Sequence, residues 1–105
     1  MIEKPIASRV LRCQLSGKSA EVIVRFGCPK QENDYFTCEY EISVSGDPQA
    51  YQIIGLDSIH ALQLAMFMVG SALQSIQGAS NWSWNDEPHT GFPTSLDQPI
   101  LGLRS

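Results

Sequence analysis

Hydrophobic and polar residues alternate along the first half of the chain. Leu11, Cys13 and Leu15 fall on one side of a run from Ile6 to Leu15, with Val10, Arg12 and Gln14 on the other. Period-two alternation is the signature of a half-buried strand. After Ser16-Gly17-Lys18, Ala20, Val22, Val24 and Phe26 repeat the pattern against Glu21, Ile23 and Arg25, so the two runs read as a hairpin. A loop is expected from Gly27 through Pro29 to Asp34. From Tyr35 to Val44 the file Phe36, Cys38, Tyr40, Ile42, Val44 is unbroken, with Thr37, Glu39, Glu41 and Ser43 facing the other way. Such alternation marks an antiparallel sheet with one solvated face, because a parallel sheet covered on both faces reads as a continuous apolar run. Ser45-Gly46-Asp47-Pro48 is turn chemistry, and Tyr51 to Ile54 reads as a short fourth strand.

The period changes at Gly55. Asp57 or Ser58 is placed to cap a helix running to about Gln77, with Gly78 supplying a left-handed C-terminal residue. On that helix Ala61, Leu62, Ala65, Met66, Val69, Ala72, Leu73 and Ile76 share one arc, the predicted core face. From Ala79 onward Asn81-Trp82-Ser83-Trp84-Asn85 alternates, allowing a short strand or edge segment at Trp82 to Trp84. A proline-punctuated coil with Pro88, Pro93 and Pro99 follows, whose Phe92, Leu96, Ile100 and Leu101 are expected to drape over the domain. The fold class that emerges is α+β: an antiparallel sheet of about four strands (6–54) on one long helix (57–77), with a coil-rich C-terminal tail (79–105). All of it forms one domain over 1–105.

Composition narrows this picture. A chain of 105 residues, 43% hydrophobic and 17% charged, has the size and apolar content for one core. The start, Met1-Ile2-Glu3-Lys4-Pro5, lacks the basic-then-apolar order of an export signal. The most apolar window, Leu56 to Ile76, is broken by Asp57, His60, Gln63, Gly70, Ser71 and Gln74, so it does not read as a membrane span. The chain therefore reads as cytoplasmic. Three cysteines, Cys13, Cys28 and Cys38, make an odd set without a Cys-x-x-Cys pair and are expected as reduced thiols packed in the core.

The net charge of -4 is unevenly spread. Six of the seven basic residues lie within the first thirty positions against Glu3 and Glu21, whereas nine acids from Gln31 onward face only Arg104. Cross-strand neutralisation between the two segments is one expectation. The other is an acidic surface steering a basic protein. Acidity disfavours nucleic acid as a partner.

No phosphate-cradling glycine loop, nucleophile elbow or His-Glu-x-x-His pair is present. No catalytic residue, metal ligand or cofactor is therefore assigned. Asp86-Glu87-Pro88-His89 groups carboxylates and an imidazole, but neighbouring side chains in an extended segment point apart, and the group reads as a solvated loop. His60 beside Asp57 reads as a polar first-turn residue. Opposite the core arc, Gln63, Gln74 and His60 surround Phe67, with Leu64 on the shoulder. An aromatic there needs cover: the chain's own tail, a second copy meeting it helix to helix, or another protein.

The stretch Tyr51-Gln52-Ile53-Ile54-Gly55-Leu56-Asp57-Ser58-Ile59-His60-Ala61-Leu62-Gln63-Leu64-Ala65, with Gly91-Phe92-Pro93 further on, resembles a family of small, uncharacterised bacterial proteins. That resemblance implies a size and a fold pattern and brings no active-site residue. Small acidic α+β domains of this kind are also similar in type to immunity proteins, which bind and block a cognate antibacterial toxin. Two readings result. The first is a stoichiometric, immunity-type inhibitor that occludes a cognate toxin or effector. Its contact would use Phe67, Leu64, Gln63 and His60, with Glu39 and Glu41 on the wet sheet face, or Asp86 and Glu87 in the tail, for steering. The second is a small-molecule-binding or hydrolytic domain with a site between sheet and tail, using His89 with Asp86 or Glu87 and walls from Trp82, Trp84 and Phe92.

Overall fold

A computed structural model describes residues 2–93. Its chain order is β1 (Ala7–Leu15), β2 (Lys18–Phe26), β3 (Lys30–Glu32), β4 (Tyr35–Val44), β5 (Asp47–Gly55), α1 (Ser58–Gln74) and β6 (Ala79–Ser83). The α+β class and the antiparallel sheet agree with the sequence pattern, but the sheet has six strands instead of about four. The helix has 17 residues and ends short of Gln77.

Each extra strand length has a local cause. Ser16 and Gly17 both take positive φ, 52° and 83°, between Leu15 and Lys18, which pair directly. Ser45 (50°) and Gly46 (85°) do the same between Val44 and Asp47. Two central residues at positive φ make the turn whose twist matches a hairpin. The second turn therefore starts β5 at Asp47, and all nine of its residues pair with β4. β3 is wholly exposed and polar, so it carried no hydrophobic signal, yet Lys30, Gln31 and Glu32 pair with Thr37, Phe36 and Tyr35. β6 pairs with β1 through a register shift between Arg12 and Gln14.

β5 borders one edge of β4 along its whole length, so β2 and then β3 follow one another along the other edge. Between them the register slips by one residue at Gly27–Pro29, with the Gly27 N–H donating to the Glu39 carbonyl at 2.9 Å. An extra residue of this kind is a β-bulge.

Leu11 and Cys13 of β1, Val22, Val24 and Phe26 of β2, and Cys38, Tyr40 and Ile42 of β4 all point to one face and are buried. The helix lays Ala61, Ala65, Val69 and Leu73 on that face. Leu62, Met66, Ala72 and Ile76 pack at the rim of the same core, so the predicted arc is the core face. Leu73 is fully buried, and truncating such a leucine to alanine costs about 2–5 kcal/mol through lost contacts and the cavity left behind. Asp57 is the N-cap, its carboxylate accepting from the His60 N–H at 2.7 Å. At the other end the Ser75 N–H turns back to Ala72 and its hydroxyl donates to the Ser71 carbonyl at 3.0 Å, closing the helix three residues early. Gly78, at φ 83°, instead serves the turn into β6, where its carbonyl accepts from the Ser16 N–H at 3.0 Å.

Because α1 lies mainly over β4 and β5, the β1 part of the same face is left to other side chains. Trp82, Trp84 and Phe92 fill that place. The expected draping of Leu96, Ile100 and Leu101 lies outside the described residues.

Candidate interaction surface

The corner where β5 passes into α1 is set by a close approach. A Cβ on Gly55 would stand 2.4 Å from the Ala61 backbone nitrogen, so only glycine lets the first helical turn sit this tightly on the strand end. His60 holds the turn in both directions, its N–H donating to Asp57 and its Nδ1 accepting from the Leu56 N–H at 2.9 Å. With the backbone folded inward, Leu56 and Ile59 are turned out: Leu56 is 80% exposed, Ile59 68%, and the preceding Ile54 60%. Gln63, one turn beyond Ile59, is exposed as well. Ile54 lies opposite Thr37 and faces the open side of the sheet, and Leu56 and Ile59 follow it round the corner into α1, while the outer edge of β5 pairs with no strand among the described residues. From Pro48 to Leu56 that edge carries no charge, and Asp47 and Asp57 bracket it.

The residues expected to meet a partner do not form one surface. Gln63 is exposed, whereas His60, Leu64 and Phe67 are only half-exposed, and His60 is engaged in the cap. What the tail beyond Pro93 does at Phe67 lies outside the described residues. Glu39 points to the open face, on the other side of the sheet from the helix. Glu41 shares that face but is only 4% exposed, its carboxylate accepting from the Arg25 guanidinium at 2.9 Å. It is an internal ion pair between neighbouring strands and not a steering charge, because β4 is central and its neighbours' side chains close over it. Arg25 and Glu41 are thus one realised case of pairing between the basic and acidic segments. Arg12 pairs instead with Glu21, within the basic segment. Asp86 and Glu87 are exposed at the tip of a tight turn closed by Trp84 and Glu87, beside β1 and across the sheet from β5.

Sequence reasoning passed over Ile54, Leu56 and Ile59. A signal was present: Ile53 and Ile54 are adjacent in a strand, so one had to face away from the core, and Ile59 falls outside the apolar helix arc.

The place proposed for a pocket between sheet and tail is occupied by Arg9. Its guanidinium lies 3.8 Å from the Trp84 ring centroid and 4.6 Å from that of Phe92, and donates to the Thr90 carbonyl at 3.1 Å. Burial pushes its pKa below the ordinary value. Phe92 also packs on Phe26, with centroids 6.0 Å apart. His89 is exposed, its ring 5.9 Å from Trp84. Among the described residues no group of three or more His, Cys, Asp or Glu side chains comes together to hold a metal.

Cys13 and Cys38 are buried as expected, and the Cys38 thiol is pushed up to about 11, first by burial and then by the nearby Cys28 thiol and Glu39 carboxylate. Cys28 is exposed, contrary to the expectation of a core cysteine, because it sits in the bulge, where strand alternation no longer applies. A cleft of about 410 Å³ opens there, between the N-terminal residues Ile2–Lys4 and the bulge.

A family model described as a domain of unknown function (DUF6968) matches residues 7–94. The chain belongs to this family. No curated protein and no solved structure matched the chain. The DUF6968 match runs from the first residue of β1 past Pro93 and so takes in the whole sheet, the helix and the Arg9 clamp.

Within this DUF6968 domain, the motifs that carried the family resemblance have structural work. Gly91, at φ 78°, brings the tail so close that a Cβ would meet Arg9 Nη1 and the Trp84 ring at 2.6 Å. Phe92 caps the clamp. The Pro93 carbonyl lies 2.0 Å from where a Cβ on Gly70 would stand, which seats the tail on the helix. No helix among the described residues of the DUF6968 domain is long and apolar enough to cross a membrane.

Proposed function

We propose that this domain is a protein-binding module whose contact surface is the β5 edge and the apolar corner that follows it. The occupant is an extended strand of a partner protein. The observation that carries the reading is the joining of a nine-residue strand edge, without an outer neighbour among the described residues, to three strongly exposed aliphatic side chains, Ile54, Leu56 and Ile59. A free edge offers a row of backbone donors and acceptors, and strand addition uses these for affinity while side-chain contacts give specificity. The uncharged stretch between Asp47 and Asp57 lets a neutral strand dock without desolvating an ion, and the bracketing acids favour basic residues at the ends of that strand. Small size and net acidity favour the inhibitory form of this function, an immunity-type protein that occludes a cognate toxin or effector.

The test uses a photo-crosslinking residue at Gln49, with Lys18 in the β1–β2 hairpin as the control site. The protein captured only at Gln49 is identified, purified and titrated against wild type, Leu56→Asp and Phe67→Asp. A purified pair weakened at least about tenfold by Leu56→Asp, the scale of losing one anchoring contact, supports the surface. Loss only with Phe67→Asp moves the contact to the outer helix face and overturns it. Crosslinks solely to a second copy of the chain overturn the separate partner.

A further inference from the structure

The cleft beside the β2–β3 bulge has a chemistry that partner binding at β5 does not use. β4 supplies Thr37 and Glu39 to its floor, two positions apart and therefore on the same open face. Lys30 stands directly across from Thr37 on β3, and the N-terminal segment brings Glu3 and Lys4 to the other wall. Two lysines and two glutamates thus line one space of about 410 Å³, within the range of small-molecule sites.

None of the four forms an ion pair among the described residues. Among the described residues the ion pairs are Arg12 with Glu21 and Arg25 with Glu41, so the four charged residues that line the cleft do not neutralise one another. Thr37 adds an independent observation. It is only 7% exposed, it lines the cleft, and among the described residues its side chain has no hydrogen-bond partner. No buried side-chain oxygen or nitrogen among the described residues lacks a partner, so this hydroxyl is open to the cleft and free to bond to what enters it. Thr37 and Glu39 are separated by about 6.6–6.8 Å along the strand, the rise of two extended residues. A small molecule lying above that interval can reach both side chains, with charge-assisted hydrogen bonds of about 2.7–2.9 Å.

We propose that this cleft binds a small zwitterion, a neutral free amino acid. Its carboxylate is held by Lys30 with Lys4, its ammonium by Glu39 with Glu3, and the Thr37 hydroxyl bonds to the carboxylate between them. The requirement for both charges on one molecule separates a free amino acid from a peptide terminus, which brings only one of them.

The full chain is titrated with L-alanine, L-serine and L-leucine, following the backbone amide resonances of Lys30 and Thr37. N-acetyl-alanine, which lacks the ammonium, and alanine amide, which lacks the carboxylate, serve as single-charge controls. Cys28 gives a second readout, since Cys13 and Cys38 are buried and iodoacetamide therefore reports on the cleft. At least one of the free amino acids is expected to shift both resonances and slow Cys28 alkylation, with both controls about tenfold weaker, the scale of losing one hydrogen bond to a charged group. Lys30→Gln and Glu39→Gln, which remove no ion pair of the described structure, should each weaken binding by a similar factor and leave the amide spectrum elsewhere unchanged. The proposal is overturned by resonances unmoved by all three amino acids, by controls that bind as well as they do, or by both variants binding like wild type.

Discussion

Along β6 the sheet ends in five residues, Ala79–Ser83, kinked by a register shift and by Asn81 at φ 54°; along β5 it ends in nine residues in unbroken register. Bulges, short lengths and covering segments are how natural sheets prevent further strand addition. The β6 side has the first two, and the chain past Ser83 returns over the face of β1, where it stacks Trp84 and Phe92 on Arg9. Among the described residues the β5 side has only Pro48, the second residue of the strand, and then uncharged residues up to the exposed Leu56. Aromatic residues, which look like candidates for a ligand site, are consumed by stabilising one margin. Aliphatic residues that look like ordinary core are exposed at the other. The difference teaches that the motif Gly91-Phe92-Pro93 marks structure, and that binding is to be sought where the packing stops.

The contrast breaks most visibly at Gly91. Gly91→Ala should cost about 3 kcal/mol, combining the penalty of a side chain at left-handed φ with overpacking against Arg9 and Trp84, read as a lower urea midpoint. A loss below about 0.5 kcal/mol, the level of an ordinary surface change, would show that the tail does not close on β1 this tightly.

Arg9→Ala comes next, at about 2 kcal/mol from two lost cation–π contacts and the packing of the side-chain stem, with Arg9→Lys recovering part of it. Equal losses for Ala and Lys would assign the effect to the planar guanidinium. Tryptophan fluorescence that changes in Arg9→Ala gives an independent reading of the stack.

Between the margins, Cys38 tests the interior. Its folded pKa is raised from 9.0 to about 11, so the native state keeps a proton that the unfolded chain releases. Stability from this source is therefore complete below pH 9.0 and is lost as pH rises through about 11. The urea midpoint should fall across that window, and more shallowly in Cys38→Ala. Parallel slopes in the two proteins would contradict the burial of this thiol.

The smallest effect on stability is expected at the open margin. Leu56→Asp and Ile59→Asp should each stay within about 0.5 kcal/mol of wild type, as surface changes do, while removing partner capture at Gln49. A large destabilisation would mean that the corner is packed and unsuited to docking.

Much of the fold was legible. The period-two files of Leu11 to Leu15, Ala20 to Phe26 and Phe36 to Val44, the Asp57 cap and the Ala61–Leu73 arc all depend on the alternation of burial along one element, which sequence records directly. β3 was not legible, since Lys30–Glu32 pair through backbone groups that leave no mark on side-chain pattern. The length of β5 followed from both residues of the Ser45-Gly46 turn taking positive φ, a matter of turn geometry more than of hydrophobicity. Of the candidate partner residues, Gln63 lies beside the apolar corner, while Glu41 turned inward to Arg25, because a charge on a wet face can still be enclosed by its neighbours on a central strand.

Sequence by itself determined β1, β2, β4 and α1 and the face each one buries, because periodicity is local and the hydrophobic effect acts on every residue in the same way. Tertiary structure alone decided that Arg9 is gripped by residues more than seventy positions away. It also decided that Cys28 and Thr37 line a cleft with the N-terminal segment at a bulge, and that β5, unlike β6, ends the sheet with a long edge in unbroken register. Those outcomes depend on which strands become neighbours, and pairing between distant backbone segments leaves no trace within either one.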